Sequence, residues 1–192
     1  MAVLDIVTIG NPILRQQARE LGLAELESAA IQQFIDDLVD TMRHAHGAGL
    51  AANQVGRSLH ICAVEVDNNP RYPYKPNIPL TILVNAKIDA LEKTELIENF
   101  EGCLSVPNLR GRVIRCPKIR VRALDREGRT LDFVANGLAA GTYQHEVDHL
   151  EGILFVDRLV HSHSLSTWEN YEKYHKSDFE ERARGIVTRW GA

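Results

Sequence analysis

The sequence has no excess of basic residues, no apolar run long enough to cross a bilayer, and only three cysteines among 192 residues. Each shortage excludes something. With 22 lysines and arginines against 26 aspartates and glutamates, the formal net charge is −4. No whole-molecule positive field is available, so no sequence-specific nucleic-acid partner is expected. A spanning helix needs about 20 consecutive apolar residues, which the chain lacks, so no membrane partner is expected either. Cys62, Cys103 and Cys116 are odd in number and sparse, which argues against a disulfide framework and for a reducing compartment. The opening Met1-Ala2-Val3-Leu4-Asp5 has no basic segment followed by an apolar one. No signal peptide is expected, and the cytoplasm is the expected location.

What remains is an ordinary globular composition, 44% hydrophobic and 25% charged, long enough for a good core. One catalytic domain, residues 1–192, is expected, with a core over about 4–159 and a partly helical tail over 160–192. The chain is organised around His145-Glu146-Val147-Asp148-His149, the pattern H-E-x-x-H. On a helix, histidines at i and i+4 share a face one turn apart and can share one metal ion. Glu146 then projects beside them, where a carboxylate can take a proton from an activated water. Leu138, Ala139 and Ala140 favour a helix here, Asn136-Gly137 marks a turn before it, and Gly152 suits its end. Five residues with three fixed also occur by chance, so a further ligand elsewhere has to decide the matter.

Along the chain, Val3 to Gly10 is a short apolar stretch that ends in the turn signal Gly10-Asn11-Pro12. Leu23 to His46 predicts the first helix. Ile31, Phe34, Ile35, Leu38, Val39 and Met42 form its core stripe, Ser28 is a candidate N-cap and Gly47 its stop. Residues 47–54, Gly-Ala-Gly-Leu-Ala-Ala-Asn-Gln, are small enough for close backbone approach. They read either as a tight packed loop or as a cleft wall with Gln54 aimed into it. Leu59–Val66 reads as a buried strand and Asp67–Pro79, with four prolines, as a loop. Thr81–Asn85, Lys87–Leu91, Glu95–Phe100, Arg112–Arg115, Ile119–Leu124 and Thr130–Val134 complete a β-rich middle, with a hairpin turn at Asp125-Arg126-Glu127-Gly128. Trp168 to Arg184 reads as a charged helix. Strands followed by a helix without βαβ alternation predict an α+β fold, with mostly antiparallel strands packed around the H-E-x-x-H helix. The histidines at 44, 46, 60, 161, 163 and 175 lack ligand spacing and read as surface or locally bonded residues.

A lone cysteine is most often a small buried hydrophobe, which suits Cys62 and Cys116. Cys103 differs, because it follows a glycine and has polar flanks in Glu101-Gly102-Cys103-Leu104-Ser105. A thiolate with two imidazoles gives three ligands and leaves a fourth tetrahedral position open, as catalytic sites require.

These segments together resemble the peptide deformylase family. Residues 47–54, 101–105 and 145–149 match its motifs GxGLAAxQ, EGCLS and HExxH in order and at similar separations. Gly10-Asn11-Pro12-Ile13-Leu14-Arg15 resembles the family's opening, and the likeness spans roughly residues 4 to 159. The resemblance implies a metal-dependent hydrolase that removes the N-formyl group from the formyl-methionine of newly made polypeptides. It implies one divalent ion, usually Fe²⁺ and replaceable by Zn²⁺, Ni²⁺ or Co²⁺, on Cys103, His145 and His149. It implies formyl-methionyl nascent chains as partners, met near the ribosomal exit. Glu146 would be the general base, with the Gln54 amide and the Leu104 backbone N–H as oxyanion donors. Ala48, Gly49 and Gly102 would pair with the substrate backbone as an added strand. Leu138 and the helix turn before His145 would wall an apolar pocket for the methionine side chain, and Arg110 would lie near the cleft mouth. Asp148 is expected to pair with Arg115, tying the Cys103 region to the histidine helix. The departures are Ala48 in place of a larger aliphatic residue, Gly141-Thr142 where some relatives have Ile-Cys, and Asn85-Ala86 for Asn-Pro. All spare the metal ligands and Glu146.

Two rivals make different demands. A thermolysin-type peptidase takes its third ligand downstream, where Glu169 and His163 stand without a companion motif. A non-catalytic metal-stabilised module needs four protein ligands, with Cys116 as the obvious fourth.

Overall fold

The computed structural model describes residues 2–69 and 71–191; the start at Met1, Pro70 in the proline-rich loop and the last residue of the tail lie outside the described residues. Two antiparallel sheets enclose one helix. The first has the order β1-β2-β3-β6-β7, from Gly49–Ala51 (β1), Ile61–Val66 (β2), Ile78–Ala90 (β3), Lys118–Leu124 (β6) and Thr130–Asn136 (β7). The second has the order β4-β5-β8, from Ile97–Cys103 (β4), Val106–Arg115 (β5) and Ser166–Thr167 (β8). The H-E-x-x-H helix, Gly137–Leu150 (α3), packs against strands of both sheets, so the α+β expectation holds. Ten of its residues are buried, including Leu138, Ala139, Ala140 and Tyr143, rather than one stripe. A helix covered on several sides must be rich in small and apolar residues all round.

The edges of elements depart from the sequence expectation for local reasons. The first helix is two, Leu23–Leu26 (α1) and Ala29–His44 (α2), because Ser28 caps the second by accepting from the Ile31 N–H. That bond fixes Ser28 in extended backbone and breaks the run. That helix ends at His44 rather than His46, and His46, one residue before Gly47, lies in the left-handed region at φ 52°. The two strands expected over 81–85 and 87–91 are one, β3, whose pairing shifts between Val84 and Lys87. Asn85 absorbs the irregularity at φ 53°, with its side chain bonded to the Leu21 backbone N–H and C=O. The tail forms Trp168–Tyr174 (α4) and Lys176–Trp190 (α5), broken at His175. Tyr171, Phe179 and Ala183 are its buried side, packed with Phe100 and Leu138.

Two consequences position the site. β1 and β4 are edge strands of their respective sheets. The extended N-terminal segment ties the loops that follow them: the Val7 N–H donates to Gln54 O and the Ile9 N–H to Ser105 O, at 2.8 and 2.7 Å.

Candidate active site

Three segments converge on one cleft. β4 alternates its side chains with period two, so Asn99, Glu101 and Cys103 belong to one face of the strand. From α3 come His145, Glu146 and His149. From residues 47–54 come Gly49 and Gln54.

Cys103 Sγ and one ring nitrogen each of His145 and His149 lie within 4.8 Å of one another. His149 Nε2 is 3.2 Å from Cys103 Sγ. The imidazole planes are nearly perpendicular, with centroids 4.9 Å apart. His145 Nδ1 is committed to Glu101 Oε2 at 2.8 Å, which leaves Nε2 as the ring nitrogen for Cys103 or a metal. One thiol and two imidazoles are a donor set suited to a borderline divalent ion, and Glu146 Oε2 is a buried oxygen with no hydrogen-bond partner beside it. The residues therefore fit a single metal ion with three protein ligands. Among the described residues Cys116, His163 and Glu169 are not part of the group. Cys116 instead bonds through its backbone to Gln144.

Burial sets the protonation states in the metal-free protein. It raises the Glu146 carboxyl to about 7, against the lowering influence of His145 and Lys75. Burial also holds His149 well below its ordinary value, with the His145 charge adding to the effect. His145 moves the other way: burial would lower it, but its bonds to Cys103 and Glu101 carry it well above. Glu101 is 7% exposed. Burial alone would raise its carboxyl, yet the Arg115 charge and hydrogen bonds, with those of His145, hold it well below the usual carboxylate range.

Arg115 donates two parallel bonds to Glu101, Nε–Oε1 and Nη2–Oε2, both 2.8 Å. Its Nη1 donates to Asp148 Oδ2 at 2.5 Å, and Arg158 Nη2 donates to Asp148 Oδ1 at 2.7 Å. The expected Asp148–Arg115 contact is thus present as geometry, and it extends through Glu101 to His145. Gln54 is fixed at both ends: Oε1 accepts from the Ala51 N–H at 2.9 Å, and Nε2 donates to Ser105 Oγ at 3.1 Å and Cys103 Sγ at 3.4 Å. Gly49 is obligatory for Glu146, because a Cβ there would lie 2.4 Å from the Glu146 carboxyl carbon.

Ala48, Gly49, Gly102 and Leu104 line the cleft, as does Arg110. Arg110 is not exposed at a mouth. It is buried, its Nη2 donating to Phe100 O at 2.7 Å, and it stacks on Tyr171 and Trp168. Leu138 lies with Phe100, Tyr171 and Phe179 and is not among the cleft residues. The turn before His145 contributes Gly141 and Thr142 instead. Glu101, Asn99 and Lys75 are cleft residues that the sequence alone does not single out. The alternation Asn-x-Glu-x-Cys along a strand that ends in a ligand is a usable signal for the first two; nothing local marks Lys75.

A thiol from β4 and two imidazoles from a buried helix, with a protonatable carboxyl beside them, make a candidate centre for metal-assisted hydrolysis. The family described as polypeptide deformylase matches residues 3–164, and the chain belongs to that family. It is 41% identical to peptide deformylase 2 of Nostoc sp. over 171 residues, 89% of this chain and 94% of the relative. It is 44% identical to a peptide deformylase of Leptospira biflexa over 161 residues, 83% and 89% of the two chains. A class I type b peptide deformylase of Acinetobacter baumannii, solved with Met-Ala-Ser bound, superposes with a TM-score of 0.78 at 40% identity, covering 82% of this chain and 99% of that one. A peptide deformylase of Legionella pneumophila covers 98% of this chain and 95% of its own, with a TM-score of 0.71 at 30% identity.

Proposed function

We propose that the chain, as one catalytic domain, removes the N-formyl group from the N-terminal formyl-methionine of newly made polypeptides and releases formate. The observation that carries this reading is the three-atom group of Cys103, His145 and His149 with the partnerless carboxylate oxygen of Glu146 beside it. Three protein ligands leave one tetrahedral position for chemistry. When bound, a divalent ion supplies Lewis-acid polarisation and an acidified water. Fe²⁺ is the expected ion, with Zn²⁺, Ni²⁺ or Co²⁺ able to replace it, since a thiolate and imidazoles suit all four.

Glu146 takes the water proton at its carboxylate and returns it to the nitrogen of the leaving amine as the C–N bond breaks and the formyl carbon gains its second oxygen. Gln54 Nε2 and the Leu104 backbone N–H are the donors for the oxyanion; losing one such donor costs on the order of a hundredfold in rate. The substrate backbone lies between the edges of β1 and β4 and pairs at Ala48, Gly49 and Gly102 as an added strand. Asp148 and Arg115 hold the ligand-bearing strand against the ligand-bearing helix. The same reading has the enzyme act in the cytoplasm on formylated chains emerging from the ribosome. No helix among the described residues is long and apolar enough to cross a membrane.

The test is formate release from formyl-Met-Ala-Ser by anaerobically purified protein. The expected result is one formate and one free amine per peptide consumed. A metal-loaded protein that releases no formate from any formylated peptide contradicts the reading.

A further inference from the structure

Part of the cleft wall comes from outside the three motifs. Tyr72 and Lys75 of the proline-rich loop and Arg110 of β5 line it beside Phe100, Ala48 and Leu104. Lys75 is already engaged: its Nζ donates to Thr142 Oγ1 at 2.8 Å and lies 4.9 Å from the centre of the Tyr72 ring. Arg110 has the unusual setting. It is 1% exposed, and no carboxylate among the described residues pairs with it. Its Nη2 donates to Phe100 O at 2.7 Å and to Tyr74 Oη at 3.1 Å, while Nε is buried without a partner.

A guanidinium keeps its charge, so its burial without a carboxylate must be offset in another way. Aromatic faces supply the offset. The guanidinium carbon lies 4.2 Å from the centre of the Tyr171 ring, 4.7 Å from that of Trp168 and 5.7 Å from that of Tyr72. Cation–π attraction is strongest where the ion is desolvated. Two of these rings belong to the tail and one to the loop, so neither segment encloses the arginine alone.

The register of the second sheet brings the tail to this place. Gly102 pairs with Arg110 and Arg110 with Ser166, in line across β4, β5 and β8. β8 runs directly into α4, which Thr167 caps by accepting from the Asn170 N–H. Trp168 and Tyr171, at i and i+3, then share a face of α4. On the β4 side a Cβ at Gly102 would lie 3.3 Å from Arg110 Cγ. The bare glycine lets the arginine reach across to Phe100 O, beside the residue where the substrate backbone is proposed to pair. The tail also holds the loop. Tyr74 packs edge-on against Phe179 of α5 with ring centroids 5.0 Å apart, and the Arg71 guanidinium lies 5.1 Å from the centre of the Trp168 ring. Both tail helices lie beyond residue 164, where the family match ends.

Resting on the deformylase reading above, we propose that Tyr171 and Trp168 are positioning residues for the peptide substrate. They hold Arg110 and the Tyr72–Lys75 segment together as one wall, and so set the affinity for formylated peptides without touching the metal centre. The Tyr171 hydroxyl is not needed for this: Oη is buried with no hydrogen-bond partner, and a phenylalanine ring presents the same face.

The experiment measures kcat and KM of the nickel-loaded enzyme for formyl-Met-Ala-Ser in wild type, Tyr171→Phe, Tyr171→Leu and Trp168→Leu. Bound metal is counted on the same samples. Amide exchange is followed at Tyr72 and Lys75, whose N–H groups donate within the loop to Asn69 O and Tyr72 O. Both leucine variants should raise KM about tenfold, the scale of a desolvated cation–π contact. Their kcat should stay within about twofold, as expected when binding common to ground and transition state is lost. Each should keep its metal, exchange at Tyr72 and Lys75 should quicken, and Tyr171→Phe should match wild type. Unchanged KM in the leucine variants, a fall in kcat alone, loss of metal along with activity, or a Tyr171→Phe as impaired as Tyr171→Leu overturns the proposal. If Tyr171→Leu does not fold, Trp168→Leu, altered at a half-buried position, decides by the same criteria. If wild type releases no formate from any formylated peptide, the deformylase reading fails on its own. The exchange series then decides the tail: exchange at Tyr72 and Lys75 that leucine leaves unchanged overturns its role.

Discussion

Oε2 of Glu101 lies 2.8 Å from His145 Nδ1 and accepts from Arg115 Nη2 at the same distance. The carboxylate thus orients a candidate metal ligand while an arginine orients the carboxylate. Partners of this kind fix the ring and its tautomer, and losing one typically weakens metal binding by about 10- to 100-fold. Glu101→Gln keeps an acceptor for Arg115 but removes the charge facing His145. Its metal dissociation constant, measured by chelator competition, should rise within that range; an unchanged constant contradicts the assignment.

Gly49 is required by contact rather than by backbone angle. A Cβ would lie 2.4 Å from Cδ of Glu146, so Gly49→Ala must displace the carboxyl. The variant should bind metal as wild type does and lose about a hundredfold or more in kcat, the scale of general-base assistance. Equal loss of metal and activity would mean that the substitution acts on the centre as a whole.

Arg115 is 3% exposed and Asp148 13% as side chains, so their contact is poorly screened. Removing one partner of such a buried pair costs about 3–5 kcal/mol. Arg115→Ala and Asp148→Asn, singly and together, should show a coupling above about 0.5 kcal/mol in denaturant unfolding. Additivity within that margin would uncouple the strand from the helix.

Glu146 gives the metal-free protein a pH dependence of definite sign. Burial raises its carboxyl from 4.5 to about 7. Between those values the folded chain keeps a proton that the unfolded chain has released. The folded state then binds more protons, and its stability falls as pH rises. The shift corresponds to a loss on the order of 3 kcal/mol, complete above the folded value. Metal-free Glu146→Gln cannot ionise there. It should match wild type near pH 4.5 and exceed it in stability at pH 8. A difference that does not grow with pH would mean that Glu146 is not the source of the dependence.

The reacting centre is legible in the sequence because its residues are close along the chain or carry distinctive chemistry: helical spacing brings His145 and His149 together, and Cys103 stands out against its polar flanks. The helix stripe from Ile31 to Met42 is legible because a one-sided pattern marks a one-sided burial. Other features depend on what the chain meets in space. The continuity of β3 through Asn85 relies on bonds to Leu21, 64 positions away. Leu138 is expected in the pocket, but the tail packs Phe179 and Tyr171 over it. The position of Lys75 beside Thr142 follows from the path of a loop whose own residues have no periodicity.

One metal ion and one carboxylate have separate tasks in this centre, and metal titration reads both at once. Anaerobically prepared metal-free protein is titrated with Ni²⁺ while bound metal and formate release from formylated tripeptides are followed on the same samples. Wild-type activity should rise linearly and stop at one equivalent. Glu146→Ala should bind the same single equivalent and release almost no formate. Wild-type turnover by metal-loaded Glu146→Ala, or failure of that variant to hold the ion, would contradict the division of roles.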